Sequence, residues 1–399
     1  MPDTKGVDAI LFSICDVTEY RELIRMKQRC NGVPLIVGGA YTFNFWSAKI
    51  YSDAVWVGEV FDMAKCKTLA EIFESPYCYT GGDKLPVASQ YIDWNMIPVV
   101  QTDKTRCYYW GGVGCKNKCR FCYTSWTHNH LANSKENILK AKEMAKKNGK
   151  FIMITSNEYD NDPNSMTFDM LLKDYKKMPV KRGKTVRAGV EFATEESRKR
   201  NGKPISRNEL FQCIQKSSKE GVSLYLFHIT GYDSLDEWEQ YIDDLGVMFR
   251  SCNFKRMISL GFNNFQYQNY TPAYSERKNI DPDKYSTRED IIRWREKLSM
   301  SAGSVWAYPP KPFQHVCCRM GIELAKNKDQ VDFWSKMIVD AKKRLTVEQA
   351  YNKLFDTKIL DTEHLKMNVK TGEITILEES GRGGRKENGE QSKLDTASA

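Results

Sequence analysis

Long apolar runs are absent from this sequence: no stretch of about 18 apolar residues occurs, which excludes a membrane-spanning helix. The start, MPDTKGVDAILFSIC, has neither a basic n-region nor a small-residue cleavage site, so no secretory signal is expected. Histidine is scarce. Only His128, His130, His228, His315 and His364 occur among 399 residues, and none lies in the first hundred. Any metal or cofactor chemistry that needs imidazole from the N-terminal quarter is thereby excluded. Disorder over most of the length is excluded too, because 41% of residues are hydrophobic and 12% aromatic, enough for sizeable cores in two or more domains.

Cysteine, by contrast, is plentiful, with twelve residues. Cys15, Cys30, Cys66, Cys213 and Cys252 stand alone inside apolar or helical patterns, where reduced cysteine is common. A reducing, cytoplasmic compartment is therefore expected. The formal net charge of +9 suits an anionic substrate such as a nucleotide or nucleic acid, and suits solubility alone equally well.

Residues 7–75 alternate strand and helix signals. Apolar runs at Val7–Ile14, Val33–Val37 and Asp53–Val57 are separated by helix spacing and Gly38-Gly39, and Thr68-x-x-Glu71 opens a helix as a capping box. Such strands with crossovers describe a parallel sheet. Residues 76–105, with Pro76, Gly81-Gly82, Pro86 and Pro98, read as a linker. A second α/β series follows, with strands at Lys150–Thr155, Thr185–Val190 and Val222–Thr230. Helices are capped at Ser134, at Ser206-x-x-Glu209 and at Ser234-x-x-Glu237. Near-regular βα units fit a full or partial barrel, with chemistry at the C-terminal strand ends. After about residue 285 the pattern is helical (Thr287–Met300, Gln330–Leu345, Val347–Phe355), and the polar tail from about Ser380 is expected to be disordered.

The chemistry concentrates in GVGCKNKCRFCYTSW, where Cys115, Cys119 and Cys122 follow Gly111, Gly112 and Gly114. Two readings compete. Zinc could take the three thiolates with His128 or His130 as fourth ligand. A four-iron, four-sulfur (4Fe-4S) cluster could take three thiolates and leave one iron open to a small molecule.

The C-x3-C-x2-C spacing with Phe121 before the last cysteine resembles the signature of the radical S-adenosylmethionine superfamily. The resemblance implies a 4Fe-4S cluster on Cys115, Cys119 and Cys122 whose open iron chelates S-adenosylmethionine, cleaved reductively to a 5′-deoxyadenosyl radical. Three further stretches resemble that family's cofactor-binding elements. Ser156-Asn157-Glu158 would receive the methionine ammonium, Glu191 in RAGVEF would lie near the ribose and sulfonium, and Ile229-x-Gly231 would pack on the adenine. Phe121 joins these as a cofactor contact.

VDAILFSI, VPLIVGGAYTFN and SDAVWVGEVFDMAK resemble the Rossmann-like cobalamin-binding domain that precedes many such enzymes, and IDWNMIP resembles its linker. The usual first strands and the Asp-x-His-x-x-Gly loop are absent, so cobalamin is disfavoured as a cofactor.

The fold expected is α/β. It comprises a truncated cobalamin-binding-like half-domain (1–75), a linker (76–105), a partial (β/α)6 TIM-like barrel (106–285), a helical C-terminal region (286–379) and a disordered tail (380–399). The function expected is a radical enzyme, of isomerase or transferase type, that abstracts hydrogen from a substrate carbon in a rearrangement or modification. A nucleotide or a hypermodified thymine of phage-type DNA is one substrate class, and flavodoxin or ferredoxin the kind of reductant. The alternatives are a cobalamin-dependent methyltransferase of the same family and, from another class, a zinc-bearing nucleic-acid-binding protein. In FQHVCCRMG, His315 stands beside Cys317 and Cys318, which could donate hydrogen, and Arg319, which could clamp a substrate anion; core packing is the competing reading. Packing competes equally with a cluster-shielding role for Tyr108, Tyr109 and Trp110.

Overall fold

The computed structural model describes residues 6–101, 103–155 and 167–377. Ser156, Asn157 and Glu158, and the tail from Ser380, lie outside the described residues.

The N-terminal sheet has strands β1 (Ile10–Ser13), β2 (Leu35–Gly38) and β3 (Ala54–Trp56) in parallel, and β4 (Cys78–Tyr79) antiparallel on β3. β2 and β3 are buried on both faces, as strands covered by crossovers require. The stretch read as a linker contributes to two sheets. Its start is β4, and its end, β5 (Val100–Gln101), pairs with β6 (Arg106–Trp110).

The cysteine loop is pinched at its base, where β7 (Gly112–Val113) pairs antiparallel with β8 (Leu131–Ala132). β9 (Phe151–Thr155) then runs parallel to β6, with Thr155 opposite Trp110. A five-stranded parallel sheet follows: β10 (Thr167–Asp169), β11 (Thr185–Glu191), β12 (Ser223–Thr230), β13 (Met257–Asn264) and β14 (Ser304–Tyr308). Among the described residues the β5-β6-β9 sheet and this one are not hydrogen-bonded to each other. The βα series extends beyond residue 285. The helix Arg288–Ser299 and strand β14, in a span expected to belong to a helical C-terminal region, complete the sheet. The exposed, alternating pattern of SVWAY is why its strand character was missed.

Local signals act as expected at several helices. Ser206 and Ser234 form full capping boxes with Glu209 and Glu237, and Gly221 closes its helix in the left-handed conformation. Thr68 accepts from the Glu71 N–H, but the Glu71 carboxylate reaches back to Lys67 N. β11 and β12 bury alternate residues (Val186, Ala188, Val190; Leu224, Leu226, His228) under the helices Arg207–Glu220 and Leu235–Ser251, leaving Arg187, Gly189, Tyr225, Phe227 and Ile229 on the other face.

The C-terminal segment does not stand apart. Trp334, Leu354, Cys317 and Cys318 share one core with Ile14, Tyr20 and Leu35 of the N-terminal region. The segment ends in a hairpin, β15 (His364–Met367) with β16 (Ile374–Leu377). Phe265, Tyr267 and Tyr270, from the aromatic run after β13, fill the same core, and Tyr270 donates its hydroxyl to Phe43 O at 2.8 Å. No helix among the described residues is long and apolar enough to cross a membrane.

Candidate active site

The loop that carries Cys115, Cys119 and Cys122 is fixed from several sides. Gly114 adopts φ +67°, and a Cβ there would fall 2.2 Å from Asn129 O, so only glycine lets the two limbs of the loop close. The Trp126 indole donates to Cys119 O (2.8 Å), Lys118 Nζ donates to Ser125 O (2.6 Å), and Arg120 Nη2 pairs with Glu276 Oε1 (2.7 Å). All twelve cysteines are free thiols.

Against this loop lies the turn 201–203. Asn201 O accepts from Arg120 N at 3.2 Å, and the Cys119 thiol faces Gly202 O at 3.9 Å. Lys203 Nζ forms an ion pair with Glu191 Oε1 at 3.2 Å, both side chains being largely buried. Burial pushes the Cys119 thiol up to about 11, against the opposing pull of Lys203, with Cys122, Glu191 and Cys115 adding negative charge. Lys203, Glu191, Cys122 and Cys115 thus all act electrostatically on Cys119. Burial also raises the Glu191 carboxyl, opposed by Lys203.

Glu191 has φ +73°, a left-handed conformation costly for glutamate, at a register shift between β11 and β12. Its carboxylate folds back over Gly189, where a Cβ would lie 1.9 Å from Glu191 Oε1. An open groove of about 290 Å³ runs from here past Ile229, Phe227, Arg187 and Asn263. Glu191 and Ile229 are thus brought together beside the cysteine loop.

The remaining residues singled out in the sequence are placed differently. Gly231 has φ +98°, and the space beside it is filled by the Tyr285 ring, which a Cβ would meet at 2.4 Å. The Cβ side of Gly231 is therefore closed by tyrosine. Phe121 packs edge-on against Phe192, with centroids 5.3 Å apart. Asp233 is buried and accepts from Ala193 N (2.7 Å) and the Ser197 hydroxyl, tying two strand-end loops together. Cys317 and Cys318 are fully buried within the shared core, as the packing reading of FQHVCCRMG requires. Lys203 escaped the sequence reading because a lysine in an NGKP turn carries no signal of its own.

A second feature was also missed. A cavity of about 700 Å³, of the size of small-molecule sites, lies between the C-terminal ends of β1–β3 and the cysteine loop. Phe12, Phe43, Trp56, Trp110 and Tyr123 supply much of its wall, and among the described residues no lysine or arginine lines it. Glu59 and His128 face each other there at 3.7 Å. Burial pushes the Glu59 carboxyl up to about 7, with Asp62 adding to the shift, and pulls His128 down to about 4, so this contact is not an ion pair at neutral pH.

Among the described residues no three of His, Cys, Asp and Glu are gathered closely enough to hold one metal ion. Zinc, with three sulfurs at about 2.3 Å from one centre, needs that convergence. An iron–sulfur cube bonds each thiolate through a different iron, so its ligands stand further apart. Three thiols on one loop match in number the ligands that such a cluster takes from the protein when one iron is left open. The one imidazole on the large cavity, His128, comes from the cysteine loop rather than the sheet, so no histidine of the sheet offers cobalamin an axial ligand there.

No family model matches the sequence. No curated protein matches it either. Similar solved structures include the cobalamin-dependent S-adenosylmethionine radical enzyme OxsB with aqua-cobalamin bound, at 15% identity and a TM-score of 0.40 over 60% of this chain and 44% of that one. OxsB with aqua-cobalamin and S-adenosylmethionine bound gives 13% and 0.42 over 88% and 62%. Streptococcus suis SuiB bound to precursor peptide SuiA gives 13% and 0.33 over 53% and 49%. The chain spans about half the length of two of these, 44% of OxsB with aqua-cobalamin bound and 49% of SuiB. At such scores the likenesses carry no weight, and the functional case stands on this chain's own residues.

Proposed function

We propose that this protein is a radical S-adenosylmethionine enzyme, with Cys115, Cys119 and Cys122 holding a 4Fe-4S cluster and Glu191 facing the cofactor. The observation that carries the reading is Glu191: a buried carboxylate on strained backbone, over a glycine, paired with Lys203 beside the three thiols. When bound, the cluster and cofactor supply one-electron reductive cleavage of a sulfonium. The chain does the rest. The thiols anchor the cluster, Glu191 faces a cationic sulfur, and Lys203 orients that carboxylate and opposes the upward push of burial on it. Ser156, Asn157 and Glu158, next after β9, are assigned to the methionine ammonium on the sequence motif alone.

The large cavity is read as the substrate chamber, since it opens between the sheet and the same loop. The lack of basic side chains among the described residues of its lining favours an uncharged or amine-bearing group there. A nucleotide or DNA-linked substrate would keep its phosphates outside, where the +9 chain can meet them. The reaction proposed is hydrogen abstraction leading to rearrangement or modification, with an external one-electron donor such as flavodoxin or ferredoxin. Anaerobic reconstitution of the full chain is expected to give about four irons and four sulfides per chain, and the Cys119→Ala variant markedly less. About one zinc and no sulfide would refute the reading.

A further inference from the structure

A smaller chamber of about 130 Å³ adjoins the large cavity, and the two share Ala40 and Tyr123. Its walls include Tyr41, Asn44, Gln268 and Glu323. Tyr123 directly follows Cys122, so the wall between the chambers belongs to the cysteine loop.

Glu323 is the anomaly. Its side chain is 8% exposed, and Oε1 is buried with no hydrogen-bond partner. The nearest cation is Arg319, with Nη2 at 3.8 Å, too far for a hydrogen bond. That guanidinium is shared: its Nη1 reaches Asp16 Oδ2 at 3.3 Å, and its plane lies over the Tyr41 ring at 5.5 Å. Arg319 is thus divided between the half-exposed Asp16 and the buried Glu323, and among the described residues Glu323 Oε1 is left unpaired. Buried charges and orphaned buried acceptors are costly unless paired.

We propose that this chamber binds a primary ammonium group of the substrate through Glu323, while the apolar body of the same molecule occupies the large cavity. The proposal rests on the reading of that cavity as the substrate chamber. A space of about 130 Å³ holds roughly four waters' worth of volume, ample room for an aminomethyl group. The side-chain oxygens of Asn44 and Gln268 can accept the ammonium's other protons. The ammonium supplies a partner for the unpaired Glu323 Oε1. In the empty site burial pushes the Glu323 carboxyl up to about 7, and an entering cation would displace that proton.

The test uses tryptamine and its uncharged analogue tryptophol, which share an aromatic body and differ in the ammonium, titrated calorimetrically into the full-length protein at pH 8. Wild type should bind tryptamine about tenfold tighter than tryptophol or better, and Glu323→Gln should bring the ratio to about one. Equal affinities in wild type, no binding of tryptamine, or a preference that survives Glu323→Gln would each overturn the proposal. Because the wild-type comparison needs no variant, misfolding of Glu323→Gln cannot rescue it. Iron content separates the two claims. Iron present with equal affinities sinks the amine site alone, and a tenfold preference in a protein that takes up no iron sinks the radical reading alone.

Discussion

The carboxylate of Glu191 occupies the space that a side chain on Gly189 would need, 1.9 Å from where its Cβ would stand. The glycine two residues before the glutamate is therefore a steric condition of the site. Replacing Gly189 with alanine should swing Glu191 off its position while leaving the three cysteines in place. S-adenosylmethionine affinity, measured by equilibrium dialysis on reconstituted protein, should fall about tenfold or more, with iron content unchanged. Unchanged affinity would remove Glu191 from the cofactor site.

Gly114 makes the corresponding prediction for the cysteine loop. Alanine there meets both a left-handed backbone and a contact of 2.2 Å to Asn129 O. A stability loss on the order of 2–3 kcal/mol is expected in urea unfolding, together with reduced iron uptake. A variant with wild-type iron and stability would show that the pinch at β7 and β8 does not hold the loop.

The large cavity should announce itself through pH. Folding raises the Glu59 carboxyl from 4.5 to about 7, so the native state holds that proton more tightly than the unfolded chain. Its contribution favours folding fully below about pH 4.5 and is lost as pH rises to about 7. His128, facing it, is neutral throughout this window, and Asp62 only adds negative charge. Glu59→Gln should match wild type near pH 5 and exceed its stability at pH 8 by on the order of 3 kcal/mol. A stability difference that does not change with pH would show that Glu59 is not buried as described.

Cys317 and Cys318 lie in the core shared by the N-terminal sheet and the C-terminal helices. Alanine at either should cost about 1–2 kcal/mol in unfolding free energy through the cavity left behind. Production of 5′-deoxyadenosine should not change. A selective loss of turnover with stability intact would restore a hydrogen-donor role.

Much of the scaffold was legible because local rules and tertiary packing agree. The capping boxes at Ser206 and Ser234, the glycine stop at Gly221 and the apolar runs of β2 and β11 each point to the element that forms. β14 was not legible, since its exposed aromatic residues lack the apolar run of a buried strand. In the proposed site, Cys115, Cys119, Cys122 and Glu191 stand out in the sequence because spacing and the G-V-E pattern mark them. Lys203, Glu59 and Glu323 could not, because their importance arises from burial and from partners distant in sequence. Gly231 shows the converse. Its glycine signal was real, but the atom that demands it belongs to Tyr285, more than fifty positions along the chain.

The most direct measurement is product formation by anaerobically reconstituted full-length protein given S-adenosylmethionine and dithionite. The radical reading predicts 5′-deoxyadenosine and methionine in wild type, and neither in Cys115→Ala, Cys119→Ala or Cys122→Ala. Intact S-adenosylmethionine after reduction of a protein carrying its full iron–sulfur complement would contradict it.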